Sequence, residues 1–243
     1  MIKRTDVADN WIIYDTTRSP FNPADKGLFP NDTSQELTGN DIDFNSTGFQ
    51  LKTSDNGFNA SGGTYIYMAF AGGKDLSAPL NTDGSITSRV KANTTKGFSV
   101  VSYNSNASGQ DTVGHGRTST PEMIITKSRD GGTFSWSVFH KDVSDTTSKY
   151  LRLNTTDSTQ TFSTIWGAAL PTSSVFGITS GGGVEASDAC IAYCFHSVSG
   201  YSDIGSYTGT GASGNSITGF RPAFIMIKRT DVAVGPVVEP LPV

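Results

Sequence analysis

The sequence predicts an all-β protein: an antiparallel β-sandwich of jelly-roll or concanavalin-like style, built from two similar sub-units. Three observations carry this. Runs rich in aromatic and β-branched residues recur as YIYMAF (65–70), IAYCF (191–195), FIMIK (224–228) and WIIY (11–14), each bounded by Gly, Asn, Asp or Ser. Glycine supplies 27 of the 243 residues and charged residues only 16%, the composition of many short strands joined by tight turns. No stretch repeats apolar residues at helical spacing over three turns, so little helix is expected.

The chain is long enough for one large β domain or two modules of about 100–120 residues. Aromatic residues reach 10% and fall in strand-like runs, which excludes the low-hydrophobicity signature of disorder. A net charge of −4 gives no electrostatic reason to expect nucleic acid or an anionic membrane surface as partner. No apolar run approaches the roughly 20 residues of a spanning helix, so no membrane insertion is expected. The opening MIKRTD lacks the apolar core of a secretory signal, so the expected route to the outside is other than the standard export route, or is release from the cell.

Compared with itself, the chain repeats. MIKRTDVA stands at 1–8 and again at 226–233. FNASGGTYIYMAF (58–70) matches VEASDACIAYCF (184–195) with one residue dropped. Lys26, Leu28, Asn31 and Thr33 match Lys149, Leu151, Asn154 and Thr156 at an offset of 123, and Trp11 matches Trp136 at 125. MIITKSRD (123–130) matches both FIMIKRTD (224–231) and the opening MIKRTD. Tyr103, Pro121 and Lys127 match Tyr207, Pro222 and Lys228 at offsets of 104, 101 and 101. In TPEMIITK and RPAFIMIK a proline stands at the strand entrance, where its missing N–H removes no ladder bond.

These offsets divide the chain. Residues 1–75 are the rear part of a split unit, 76–96 a linker, and 97–200 a complete unit. Residues 201–233 are the front part of the split unit, and 234–243 form a Pro-rich extended tail. The duplicated octapeptide is the seam of the repeat, at the end of the front part and the start of the rear part. If the chain closes on itself, one copy is surplus and lies at an edge or meets another chain. Met1, Ile2, Lys3 and Arg4, with Pro236 and Pro240 in the tail, are therefore the candidate assembly residues. Tyr67, Phe70, Ile225 and Trp11 in the split unit, and Tyr193, Phe195, Ile124 and Trp136 in the complete one, are expected in the core.

Several segments carry a family resemblance: VGHGRTSTPEMIITKSR (113–129), NWIIYDTTRSPFNP (10–23), LFPNDTSQE (28–36), GFQLKTSDNGFNASGGTYIYMAF (48–70) and GFRPAFIMIKRT (219–230). Together they resemble a repeat of tail-fibre-like and other virion structural proteins of tailed bacteriophages, especially aquatic ones. The resemblance implies a virion location after synthesis in the host cytoplasm, and a structural or adsorption role. The ending VGPVVEPLPV departs from the family's W-x-I-Y-D continuation.

Candidate sites are few. His115, between glycines in VGHGRT, and the nearby Arg117 could meet a ligand, although a packing role suits a segment leading straight into a strand. No nucleophile elbow accompanies them. Asp41, Asp43 and Asp55 could offer oxygens to calcium, but EF-hand spacing is absent and Asp55-Asn56-Gly57 reads more simply as a hairpin turn. No cofactor is expected beyond that calcium possibility. A glycosidase needs two facing carboxyls, and the E-x-D-x-x-E strand pattern is missing. Trp11 and Trp136, equivalent in the two units, read as core. Trp166 lacks such a counterpart and is the candidate sugar platform. Cys190 and Cys194 would lie about 13 Å apart on one strand face, too far to bond, and read as buried thiols. The loops at 16–26 and 141–149 are where function would reside on a scaffold.

The sequence thus points away from an enzyme. It points to a virion structural protein, a tail fibre, appendage or capsid decoration, forming a homo-oligomer with other virion proteins as partners. A carbohydrate-binding receptor module touching a host surface glycan is the alternative, and a polysaccharide depolymerase the least favoured.

Overall fold

Strand β16 (Ala189–Phe195) shows why this sequence makes a layered sheet structure: its apolar side chains continue on both faces, as a strand covered on both sides requires. The computed structural model describes residues 1–72, 75–106, 109–180, 187–214, 216–217 and 219–233. The tail at 234–243, with Pro236 and Pro240, lies outside the described residues.

The N-terminal portion contains β1 (Ile2–Arg4), β2 (Trp11–Ile12), β3 (Ala24–Gly27), β4 (Leu37–Asn45), β5 (Gly48–Leu51), the one-turn helix α1 (Asn56–Asn59) and β6 (Tyr65–Tyr67). Next come β7 (Leu80–Asn81), β8 (Ser88–Asn93), β9 (Phe98–Asn104), β10 (Gln110–Gly114), β11 (Met123–Ser128), β12 (Ser137–His140), β13 (Lys149–Arg152), β14 (Gln160–Thr161) and β15 (Val175–Thr179). Eight strands form one antiparallel sheet, in the order β14-β13-β12-β11-β16-β9-β8-β7. The 76–96 segment, expected as a linker, is not one. It supplies β7 and β8, which the repeat offsets do not reveal because the segment has no counterpart, and Lys91 lays its stem in the sheet while its ammonium reaches Ser77 O at 3.2 Å.

Side-chain alternation divides this sheet between two cores. Val101, Tyr103, Ile124, Cys190, Ala192 and Cys194 face the two-stranded β10–β15 sheet, meeting Val113, Phe176 and Ile178. Phe98, Val100, Ile191 and Tyr193 face the opposite way, onto Trp136 and Leu28 of the N-terminal portion. That portion has its own small core of Ile2, Ile12, Tyr14, Ile42 and Phe58. The fold is therefore the expected all-β antiparallel sandwich. Gly97, in the left-handed region at φ +67°, turns the chain into β9, and a Cβ there would stand 2.6 Å from His196 O.

The repeat is visible as register. In the complete unit Thr126 pairs with Ser137 on one side and Ala192 on the other. In the N-terminal portion the equivalent Ile2 pairs with Ile12 and Tyr67. Trp11 N donates to Asn31 Oδ1 at 2.9 Å, and Trp136 N to the equivalent Asn154 Oδ1 at 2.9 Å. Thr5 N donates to Thr64 O at 2.9 Å, as Arg129 N does to Ala189 O at 2.7 Å.

The core expectations hold in one unit and fail in the other. Ile124, Trp136 and Tyr193 are buried, and Phe195 and Trp11 are half-buried. Tyr67, Phe70 and Ile225 are instead exposed, at 68%, 46% and 64%. Among the described residues, 201–233 place no strand beside β6, so Tyr67 and Phe70 lack the neighbour that β9 gives the complete unit, and Ile225 lies in that unpaired segment itself.

Trp136 joins the layers: fully buried, it stacks on Tyr193 at 6.3 Å, and its Nε1 donates to Phe29 O at 2.8 Å. Trp136→Ala should lower unfolding stability by about 3–5 kcal/mol through the cavity it leaves. Chemical denaturation followed by tyrosine and tryptophan fluorescence measures this.

Candidate functional site

The residues singled out as ligand contacts prove to be interior. Trp166 is 1% exposed, edge-on to Phe139 at 5.5 Å, with Nε1 donating to Lys149 O at 2.9 Å. The main chain of Gly177 lies close against that of Trp166, since a Cβ there would stand 2.2 Å from Trp166 O. A sugar cannot reach that ring, and the Trp166 expectation is corrected to core.

His115 is fully buried, its Nε2 placed 3.2 Å from Thr172 O and its Nδ1 without a partner. Burial lowers its pKa to about 4, so the ring is neutral at pH 7. Arg117, 5% exposed, donates through Nη1 to Gly97 O at 2.6 Å and Cys194 O at 3.0 Å. Arg117 thus braces the turn around Gly97 and the end of β16 from inside, His115 holds the 172–174 segment that leads into β15, and neither presents itself to solvent. Cys190 and Cys194 are free and buried, with burial raising both thiols to about 12.

The carboxylates are separately engaged. Asp41 Oδ2 accepts from the Tyr14 hydroxyl at 2.6 Å, and Asp43 pairs with Lys52 at 3.2 Å. Asp55 is the N-cap of α1, its Oδ1 accepting from Gly57 N at 2.7 Å, so the expected hairpin turn is a helix start. Asp9, Asp41 and Asp55 line one cleft of about 350 Å³ in the N-terminal portion. Among the described residues, no group of three or more His, Cys, Asp or Glu is placed to hold a metal ion.

Sequence reasoning missed a buried ionic chain linking the N-terminal portion to the large sheet. Arg18 donates to Asp15 Oδ2 at 2.6 Å and Glu36 Oε2 at 3.0 Å. Glu36 in turn takes two bonds from Arg129, each 2.7 Å. Tyr193 closes the chain with a bond to Asp15 Oδ2 at 2.8 Å. Burial alone would raise the Asp15 carboxyl, but Arg18 outweighs it and holds the group below its usual range. The four charges stand in 15–36 and at 129, and only the fold brings them together.

What stands open to a partner is strand edge. Met1, Ile2, Lys3 and Arg4, expected at an assembly surface, begin an internal strand instead: Ile2 is 7% exposed, and β1 pairs on both sides. The N-terminal copy is joined to its partner strand β2 by the short loop 5–10, which keeps it beside the central slot. The C-terminal copy lies outside, with Phe224, Ile225, Met226 and Ile227 at 64%, 64%, 56% and 65% exposure. It touches the complete unit through Thr159 N to Thr230 O at 2.9 Å and Lys228 Nζ to Thr155 O at 3.0 Å. β6 is the last strand of its sheet, with Ile66 53% exposed.

These features define a β-sandwich repeat protein with an open sheet edge and an exposed apolar segment. The chain belongs to the family described as Domain of unknown function (DUF7483), whose model matches residues 1–74 and 72–236. No curated protein and no solved structure matches the chain.

The burial of His115 makes a pH prediction. Its folded pKa lies below the ordinary value of about 6.5, so the unfolded chain binds more protons between those values and stability falls as pH drops from about 6.5 to about 4. Below pH 4 this contribution levels off, about 3 kcal/mol lower. In His115→Gln that part of the acid slope should be missing when denaturation midpoints are compared across pH 7 to 4.

Proposed function

We propose that the chain is a non-enzymatic structural module of a bacteriophage particle, a tail fibre, appendage or capsid decoration, which works by assembling with further copies and displaying its loops. The observation that carries this reading is the apolar run 224–227, each side chain more than half exposed, in a segment whose twin at the N-terminus is an internal strand. Exposed apolar strand segments are association surfaces that proteins cover. The resemblance to virion repeat proteins supplies the setting. The engagement of Asp41, Asp43 and Asp55 in structural bonds also favours a scaffold over a catalyst. The glycan-binding alternative loses Trp166, the ring that motivated it, to the core.

Mass spectrometry of purified particles from the virus encoding this chain tests the reading. The chain should be recovered in many copies per particle and should resist salt washing. Its recovery only from the soluble fraction of infected cells would overturn the proposal.

A further inference from the structure

The N-terminal portion repeats the β12-β11-β16 arrangement of the complete unit as β2-β1-β6, and stops one strand short. In the complete unit β9 lies against the outer edge of β16, Tyr103 opposite Cys190 and Ser102 opposite Ile191. The equivalents of Cys190 and Ile191 are Tyr65 and Ile66, and among the described residues no strand pairs with their outer side. That side carries bonding groups. Thr64 O accepts from Thr5 N and Met68 N donates to Met1 O, so residues 64, 66 and 68 turn their main chain to β1. Tyr65 and Tyr67 then turn theirs outward.

The sequence that fits this edge exists elsewhere in the chain. The offset of 104 that relates Tyr103 to Tyr207 makes Ser202–Tyr207 the counterpart of residues 98–103 of β9. Laid beside β6 in the register of the complete unit, Tyr207 meets Tyr65, Ser206 meets Ile66, Gly205 meets Tyr67 and Ile204 meets Met68. The volumes compensate: the complete unit sets Val101 against Ala192, whereas here Gly205 would face the large Tyr67.

The chain does not make this contact with itself. After β16 it turns at Val198, where Tyr201 N donates to Val198 O at 2.9 Å, and Lys96 lies over the Tyr201 ring at 4.6 Å. Ser206 then sits beside Asp142, in the loop after β12, helping Lys141 hold that carboxyl low. Residues 228–230 continue onto 155–159, next to β14. The path leads across the β12–β14 end of the large sheet.

We infer that Ser202–Tyr207 of one copy adds as a strand to the open edge of β6 in a second copy, completing that copy's N-terminal unit by head-to-tail strand donation. The donated strand covers Ile66, Tyr67 and Phe70, the side chains left exposed by its absence. Because donor and acceptor surfaces differ, each added copy presents a fresh edge, and the contact generates a fibre or a closed ring. The inference deepens the assembling role proposed above and rests on it for its purpose; the pairing itself rests on the internal repeat.

Cross-linking two singly substituted chains tests it. Ile66 turns its main chain to β1, so with Ser206 it would form a non-hydrogen-bonded pair with Cα atoms about 4.5 Å apart, within disulfide range. Both positions are at the surface, and the native thiols of Cys190 and Cys194 are buried. Mixing Ile66→Cys with Ser206→Cys under mild oxidation should give a covalent heterodimer. A peptide of residues 200–209 in excess should suppress it at least several-fold by occupying the edge. An intrachain bond in the double variant at high dilution, with no heterodimer in the mixture, would overturn the inference in favour of self-closure. The absence of any bond in either sample would overturn it outright. Neither negative result bears on whether the chain is found in virus particles, so the two proposals fail separately.

Discussion

The register of one short strand organises the molecule. The strand that carries Met1-Ile2-Lys3 in the N-terminal portion and Ile125-Thr126-Lys127 in the complete unit lies each time between a tryptophan-led strand and an aromatic strand, its bonds on both edges and its side-chain alternation fixing that register. β11 satisfies this in the complete unit and β1 in the N-terminal portion, pair for pair. The third copy of the pattern, at 224–230, finds both slots filled. Its exposure is a direct result of having three such segments and two places for them.

The two portions are then held together by a join that is apolar at one place and ionic at another. Trp136 and Leu28 form the apolar part, with Tyr193 beneath them. The Asp15–Arg18–Glu36–Arg129 chain forms the ionic part, and the Arg18 side chain is completely buried. Such a chain is weak evidence for net stability, since removing four charges from water costs about what their attraction returns. Its directional bonds do fix how the N-terminal portion sits on the sheet, and hence where the open edge of β6 points. Phe70, stacked 4.8 Å from Phe98, ties the end of that strand to the large sheet.

Much of this was legible in the sequence because repeats encode register. The matches of MIKRTD with MIITKSRD and of Trp11 with Trp136 equate positions of the two units, and the structure then gives the equivalent positions the same partners. The occupant of the slot was not legible, since two identical octapeptides carry identical local information and only chain connectivity separates them. Trp166 was misread for want of a counterpart, its burial depending on core partners distant in sequence such as Phe139. The 76–96 strands were passed over because the repeat offsets leave that segment between the two units, with no counterpart to reveal it. The Asp55 segment was ambiguous for a chemical reason: an Asp that accepts from the N–H two residues on suits a turn and a helix N-cap equally.

The central claim is that β6 is an edge waiting for another copy's strand. Hydrogen–deuterium exchange followed by mass spectrometry, run over a hundred-fold range of chain concentration, tests it most directly. The amides of Tyr65 and Tyr67, which face away from β1, and those of Gly205 and Tyr207 should exchange quickly in dilute solution and become protected together as concentration rises. Protection of both pairs at every concentration, or of neither at the highest, would contradict it.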